Sequence, residues 1–554
     1  VSRAESALGE IGRAADAARR AGALIAGHAD ALPEEEAERL HARALAANRD
    51  WNASIAALEG SFGAQPDRVD IGLDLIATLL ACGRTDAADT ALGRLRQIAT
   101  GNDDPRIDLI EAEVALQLSE FQRAAAAASR TRKRAASLGA VALGQRAARM
   151  HAEAIGLLDR HVDARRELTA IIAKNDALGL TREAAAARLS LAIVVLRVVS
   201  GAEGRRILDA AVAGCIQAGD RRCEISARTL LAMVDGMDGK LAQAIRSANV
   251  ALAGARAIGD RWCEGYVLSQ LHVLYNWADD PAAIKAINEP LLSALRDSGN
   301  RKSLALTLTN LALVAIEALE LEKAEEYLAE AEGLSRRIGS QLASASLDRA
   351  RGYLEETRGD LDLARKSYAA ALEKARQAGV GWTIGNYNAD LAWLEVAADR
   401  PGPAAERAQE AIVAFNAVGD KQMAATVEGV LAWSEARQGN GAAAQRRVAA
   451  LRRAMADDGS ETARFTLLDI EAHVAAASGE WRRVIEIRRE MIRMATAWDA
   501  RGVIIEQQTH LAVAFHEAGE RRALEKLVAG MMPDVERHGL RGIARELRAL
   551  LASS

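Results

Sequence analysis

Aromatic residues make up only 3% of this 554-residue chain. Strands draw on aromatic and β-branched side chains, so that scarcity, beside abundant Ala, argues for closely packed helices. Cysteine is equally sparse. Cys82, Cys215, Cys223 and Cys263 contain no CxxC, so they suggest neither a disulfide framework nor a zinc site and fit a reducing compartment. Cys215, Cys223 and Cys263 read as small buried thiols at helix contacts. The most apolar run, "LSLAIVVLRVVSG", is too short to span a bilayer and contains Arg197. No stretch reads as a signal peptide, so a cytoplasmic protein without membrane contact is expected. The net charge of -5 lacks the basic excess of a nucleic-acid binder, and no direct nucleic-acid binding is expected of this region. GxxxxGK[ST], HExxH and GxSxG are absent. His510 and His516 share one helical stretch but stand six apart and do not face one ligand. No catalytic residue, metal or cofactor is assigned, and no enzyme activity is expected.

What the chain does have is a period. Gly stands at 139, 179, 219, 259, 299, 339, 379, 419, 459 and 539, with Asp499 at the one gap. With 43 Gly in 554 residues, chance would place fewer than one Gly in those eleven positions. Gly suits a helix C-terminus that turns through left-handed backbone. Twenty residues after each such Gly comes a second turn, such as "GK" at 239, "GD" at 359 and "GE" at 479 and 519. Each 40-residue unit therefore reads as helix, inner turn, helix, cap. A single core stops growing at about 250–300 residues, which also favours an array.

Seven residues before the inner turns stand Ala112, Ala152, Ala192, Ala232, His272, Ala312, Gly352, Ala392, Ala432, Ala472 and Ala512. Five residues after them stand Ala88, Ala124, Ala164, Ala244, Ala324, Ala364, Ala404 and Ala444. Small residues at fixed places let two helix backbones approach closely. Ahead of the inner turn, the residue before the small one is often Leu (Leu191, Leu231, Leu271, Leu311, Leu391, Leu431, Leu511). This order of Leu-small pair, turn and later Ala resembles the tetratricopeptide repeat (TPR), lengthened to 40 residues and with Gly where that family usually places Pro. The resemblance implies an all-α, right-handed superhelical solenoid of antiparallel helix pairs.

Three regions are expected: irregular repeats over 1–105, regular 40-residue repeats over 106–539, and a capping helix over 540–554, since an open solenoid end needs a cover. Residues 1–8, before a turn at Gly9, read as the tail of a helix that began earlier, as in a portion of a longer protein. Residues 50–96 ("DWNASIAALEG…") and 103–115 ("DDPRIDLIEAEVA") further resemble the TPR region downstream of a winged-helix or serine/threonine kinase domain in bacterial signalling proteins.

In that family the first helix of each pair lines a concave recognition face. The position six before the inner turn holds Glu113, Glu153, Ile193, Met233, Val273, Leu313, Tyr353, Trp393, Trp433, His473 and Val513. The candidate site is a ladder of Tyr353, Trp393, Trp433 and His473, flanked by Tyr266, Gln270, Asn310, Arg349, Asn386 and Asp390. Rings give large contact area at low entropy cost; alternatively they fill gaps between adjacent first helices. The expected partner is a protein or peptide segment, read by a sensing or regulatory region. The alternatives are a small-ligand sensor of a transcription activator and the regulatory region of a kinase. A closed polar pocket would favour the small ligand, and a long open groove the peptide.

Overall fold

The computed structural model describes residues 34–47, 50–98, 104–196, 201–278, 280–455, 460–498 and 500–553. The expected helix tail at 1–8, the turn at Gly9 and turn positions 459 and 499 lie outside them. The described residues form 27 helices and no strand, from Glu34–Ala47 to Arg541–Ala552. The helices pack in consecutive pairs, giving a TPR-like solenoid. Among the described residues no helix is long and apolar enough to cross a membrane.

The punctuation has its physical cause in the backbone. The period-40 glycines 139 to 419 and 539 have φ between 63° and 81°, and the inner-turn glycines 83, 239, 359, 439, 479 and 519 between 72° and 83°. The small residues are the helix–helix seams. Ala112, Ala152, Ala192, Ala312, Ala392, Ala472 and Ala512 are fully buried, as are Ala88, Ala124, Ala164, Ala244, Ala324, Ala364, Ala404 and Ala444. An Ala404→Leu variant is expected to lose about 1–3 kcal/mol through overpacking, read from a urea titration.

The described chain divides into two compact units. The first comprises Val1–Thr307 with Leu334–Ser340; the second comprises Leu308–Gly333 with Gln341–Ser554. Each unit closes on itself. In the first, the Thr85 hydroxyl donates to the Ser298 carbonyl at 2.6 Å, and Arg301 pairs with Glu120 at 2.6 Å and Asp86 at 3.1 Å. The Lys302 backbone N–H donates to Ser119 Oγ at 3.0 Å, and Ser340 Oγ donates to Asp159 at 3.2 Å. In the second, the His538 ring donates to the Leu319 carbonyl at 3.1 Å, and Gly542 lies against Gly359. The bonds of these seams join residues 181 to 219 apart in sequence.

Three seam residues depart from the glycine rule. Ser119, Asp159 and Leu319 hold φ of 62°, 67° and 60° where other inner turns carry Gly. Non-glycine residues are strained there, and each supplies the seam with an atom: the hydroxyl, the carboxylate and the carbonyl just named. Ser119 caps the N-terminus of helix Arg301–Glu317 from 183 residues away. Ser119→Ala is expected to cost about 1 kcal/mol, as for an N-cap loss, measured by thermal melting.

Candidate functional site

Inside the first unit the first helices of successive pairs surround a cavity of about 910 Å³. The repeat register explains its walls: Glu113, Glu153, Ile193 and Met233, all six before their inner turns, line it, as do Tyr266 and Gln270. Ion pairs run along the wall, one between neighbouring first helices and one within a helix. Arg146 holds Glu113 at 2.8 Å, and Arg149 holds Glu153 at 2.6 Å. Glu153 also accepts from the Ser190 hydroxyl at 2.9 Å. The Glu113 carboxylate raises the pKa of the Arg146 guanidinium.

One strong feature of this wall was missed by reading the position six before each turn. Trp262 stacks on Tyr266 with centroids 5.7 Å apart and planes 11° from parallel, and the Arg222 guanidinium lies 4.9 Å from the Trp262 ring. Trp262 occupies a first-turn position that in other repeats reaches the residue capping the next first helix. Arg182 bonds Asp220 at 3.0 Å, Arg222 bonds Asp260 at 2.9 Å, and Trp382 Nε1 bonds Asp420 at 3.1 Å. The corresponding residue for Trp262 is Asn300, whose Oδ1 instead accepts from Ser303 N at 3.2 Å. The buried Trp262 N–H has no acceptor among the described residues. The signal lay in Arg182, Arg222, Trp262 and Lys302, spaced by 40.

Cys223 on this wall corrects the reading of unbonded thiols. It is disulfide-bonded to Cys215, Cα to Cα 5.6 Å, while Cys82 and Cys263 are free and buried. Cys215 stands near the end of helix Gly201–Gln217 and Cys223 in the first turn of Arg221–Met237, so the tight cap at Gly219 brings them together. A spacing of eight with no CxxC concealed this. The pairing also removes one ground for expecting a reducing compartment.

The other eight expected site residues lie in the second unit. Arg349 and Asp390 form a forked pair, Nε to Oδ2 at 2.6 Å and Nη2 to Oδ1 at 3.1 Å. Tyr353 and Trp393 are partly buried and pack against hydrophobic clusters. Asn386 is partly buried and Asn310 exposed. Trp433 is only 5% exposed, in a cluster with Val396, Phe415 and Val474, and fills a gap in the core. His473 meets Trp393 at 5.9 Å and His510 at 5.3 Å between centroids. Burial lowers the pKa of both His473 and His510. Below them lies Arg488, 2% exposed, bonded to Asp469 and to Gln507 Oε1 at 2.5 Å.

Glu356 accepts from the Tyr368 hydroxyl at 2.7 Å, and burial pushes its carboxyl from the ordinary 4.5 up to about 7. Between those values the folded chain holds more protons than the unfolded one, so the stability this group contributes falls as pH rises through that window. Glu356→Gln is therefore expected to melt higher than the native chain above pH 7 and equally below pH 4.5. A pH-independent difference would remove the carboxyl as its cause. Among the described residues no group of three His, Cys, Asp or Glu is placed to hold a metal ion.

No family model matches the chain, and no curated protein does. Among solved structures it is similar to a Rap protein complexed with competence and sporulation factor, with TM-score 0.44 and 11% identity over 62% of this chain and 98% of that one. It is also similar to aspartyl phosphate phosphatase F from Bacillus subtilis, TM-score 0.39 and 11% identity, covering 63% and 92%. The Cut9–Hcn1 hetero-tetramer of APC/C gives TM-score 0.36 and 12% identity, covering 85% and 95%.

Proposed function

We propose that this chain is a non-enzymatic TPR-like scaffold that takes a protein or peptide segment on its first-helix faces. In this reading it is the sensing or regulatory portion of a larger, cytoplasmic bacterial signalling or transcription-regulatory protein. The observation that carries the proposal is the 910 Å³ cavity walled by equivalent positions of successive repeats. Its Trp262–Tyr266 stack offers a ring platform on the wall. Met150, Met233 and Met237 on the same wall can adapt to varied side chains.

The volume of the cavity also favours a second reading, a small-ligand sensor, since about 910 Å³ lies within the range of small-molecule sites. Selection of displayed random peptides against the intact chain decides between the two. Peptides should be enriched, and Trp262→Ala should weaken the best of them by about 2 kcal/mol or more if the ring is a hot spot. Trp393→Ala tests the second unit in the same assay. Trp433→Ala should leave affinity alone and instead cost about 3–5 kcal/mol of stability, as for a large-to-small core change. If no peptide is enriched while small polar compounds raise the melting temperature, the sensor reading replaces the scaffold.

A further inference from the structure

The Cys215–Cys223 bond stands at a joint of the cavity wall. Cys215, near the end of helix Gly201–Gln217, packs with Cys223, Ala185 and Leu189 in one small cluster. Leu189 and Cys223 both line the cavity, from helices Thr181–Val195 and Arg221–Met237. The bond therefore holds the first turn of Arg221–Met237 against the preceding wall helix. Next to Cys223 in that turn is Arg222, which pairs with Asp260 at 2.9 Å and lies 4.9 Å from the Trp262 ring. Cys263 occupies the same register one repeat later, but Ala255 stands where Cys215 would, and Cys263 is free. It is fully buried, and burial pushes its thiol up to about 12, which leaves it inert.

Access to the bond is one-sided. Cys215 is fully buried, whereas Cys223 is 8% exposed and forms part of the cavity wall. A small thiol thus reaches the Cys223 sulfur through the space a peptide would fill. In the exchange, its thiolate attacks Cys223 Sγ, the Cys215–Cys223 bond breaks, and Cys215 leaves as a thiolate that takes up a proton. A second thiolate then attacks the small molecule's sulfur in the mixed disulfide, and Cys223 leaves and is protonated. Two small thiols are oxidised to one small disulfide, and the protein disulfide is reduced to two thiols. Compartment bears on this as well. Disulfides are rare in a cytoplasm and, where present, are usually transient or redox-sensing.

We propose that Cys215–Cys223 is a redox latch on the cavity: a low-molecular-weight thiol opens it from the cavity side, and the opened chain binds its peptide more weakly. A latched turn is preorganised, whereas a freed one must be ordered on binding. This rests on the peptide-binding, cytoplasmic reading above and adds the regulation of that site. The intact chain is equilibrated at glutathione ratios from cytoplasmic to strongly oxidising, then unfolded, alkylated and mapped by mass. Cys215 and Cys223 should become alkylated together as the buffer turns reducing. In Cys215→Ser, glutathione disulfide should attach to Cys223; in Cys223→Ser it should leave Cys215 untouched. The most enriched displayed peptide, selected on the oxidised chain, should bind about fivefold or more weakly to the reduced chain and to Cys215→Ser/Cys223→Ser alike. A bond that survives the cytoplasmic ratio would overturn the latch and make the disulfide a structural staple. Glutathione on Cys215 in Cys223→Ser would overturn the opening from the cavity. Equal peptide affinity in both redox states would overturn the latch while sparing peptide binding. Weaker binding to the reduced chain but not to the serine pair would overturn it by assigning the effect to the reductant. Enrichment of no peptide in either state would remove the peptide reading, and the latch with it.

Discussion

Replacing Arg488 by Met is expected to lower the stability of the second unit by about 3–5 kcal/mol, because removing one partner of a buried ion pair strands the other. Arg488 is 2% exposed, and its guanidinium engages the Asp469 carboxylate and Gln507 Oε1 and lies 3.2 Å from the His473 ring. One side chain thus joins helices Glu461–Ala477, Trp481–Ala497 and Arg501–Glu517. Met keeps an unbranched stem but leaves the partly buried Asp469 carboxylate without its guanidinium. Arg488→Met/Asp469→Leu should recover most of the loss, since an apolar replacement of a whole buried pair is often neutral. Repeat arrays need not unfold in one step, so the measurement is amide exchange resolved by helix. Equal protection of those three helices in the single variant and the native chain would refute the assignment.

Gly542→Ala should release the C-terminal helix. A Cβ at Gly542 would stand 2.3 Å from Gly359 Cα and 2.9 Å from the Arg358 carbonyl oxygen. Both are backbone atoms, so no rotamer change relieves the clash, and helix Arg541–Ala552 must move. Moving it uncovers Ala544 and Leu547, which it buries. A loss of about 1–3 kcal/mol is expected for such overpacking, with early proteolysis of the final helix. Gly530→Ala gives the opposite sign. Nothing lies within 4 Å of a Cβ there, so the helix should gain about 0.5–1 kcal/mol. Matching melting temperatures for the two variants would show that the seam carries no stability.

The repeat was legible because its cause is local. A left-handed residue, most often glycine, closes the helix whatever lies farther away, and Ala at 404 or 472 is fixed by the neighbouring helix. First-helix positions six before the turn were legible for the same reason, and in the first unit they do wall a cavity. The ring ladder was legible only as a register. Register did not distinguish Trp433, sealed by Val396, Phe415 and Val474, from Trp393, which remains partly exposed. Arg488 looked like one more surface arginine, because its burial depends on three helices at once. The Cys215–Cys223 bond likewise depends on tertiary neighbours.

The seams reach a different property, the tolerance of each unit to gain or loss of a repeat. A stack held only by adjacent contacts accepts a duplicated or deleted module with little consequence, since each interface is remade by the newcomer. Here Ser119 must meet Lys302, and Leu319 must meet His538. Inserting or deleting 40 residues between either pair leaves every neighbouring interface intact, yet delivers the wrong module to the closure. Whole-repeat duplication, the ordinary route by which such arrays change length, is therefore blocked inside these two spans and open only outside them.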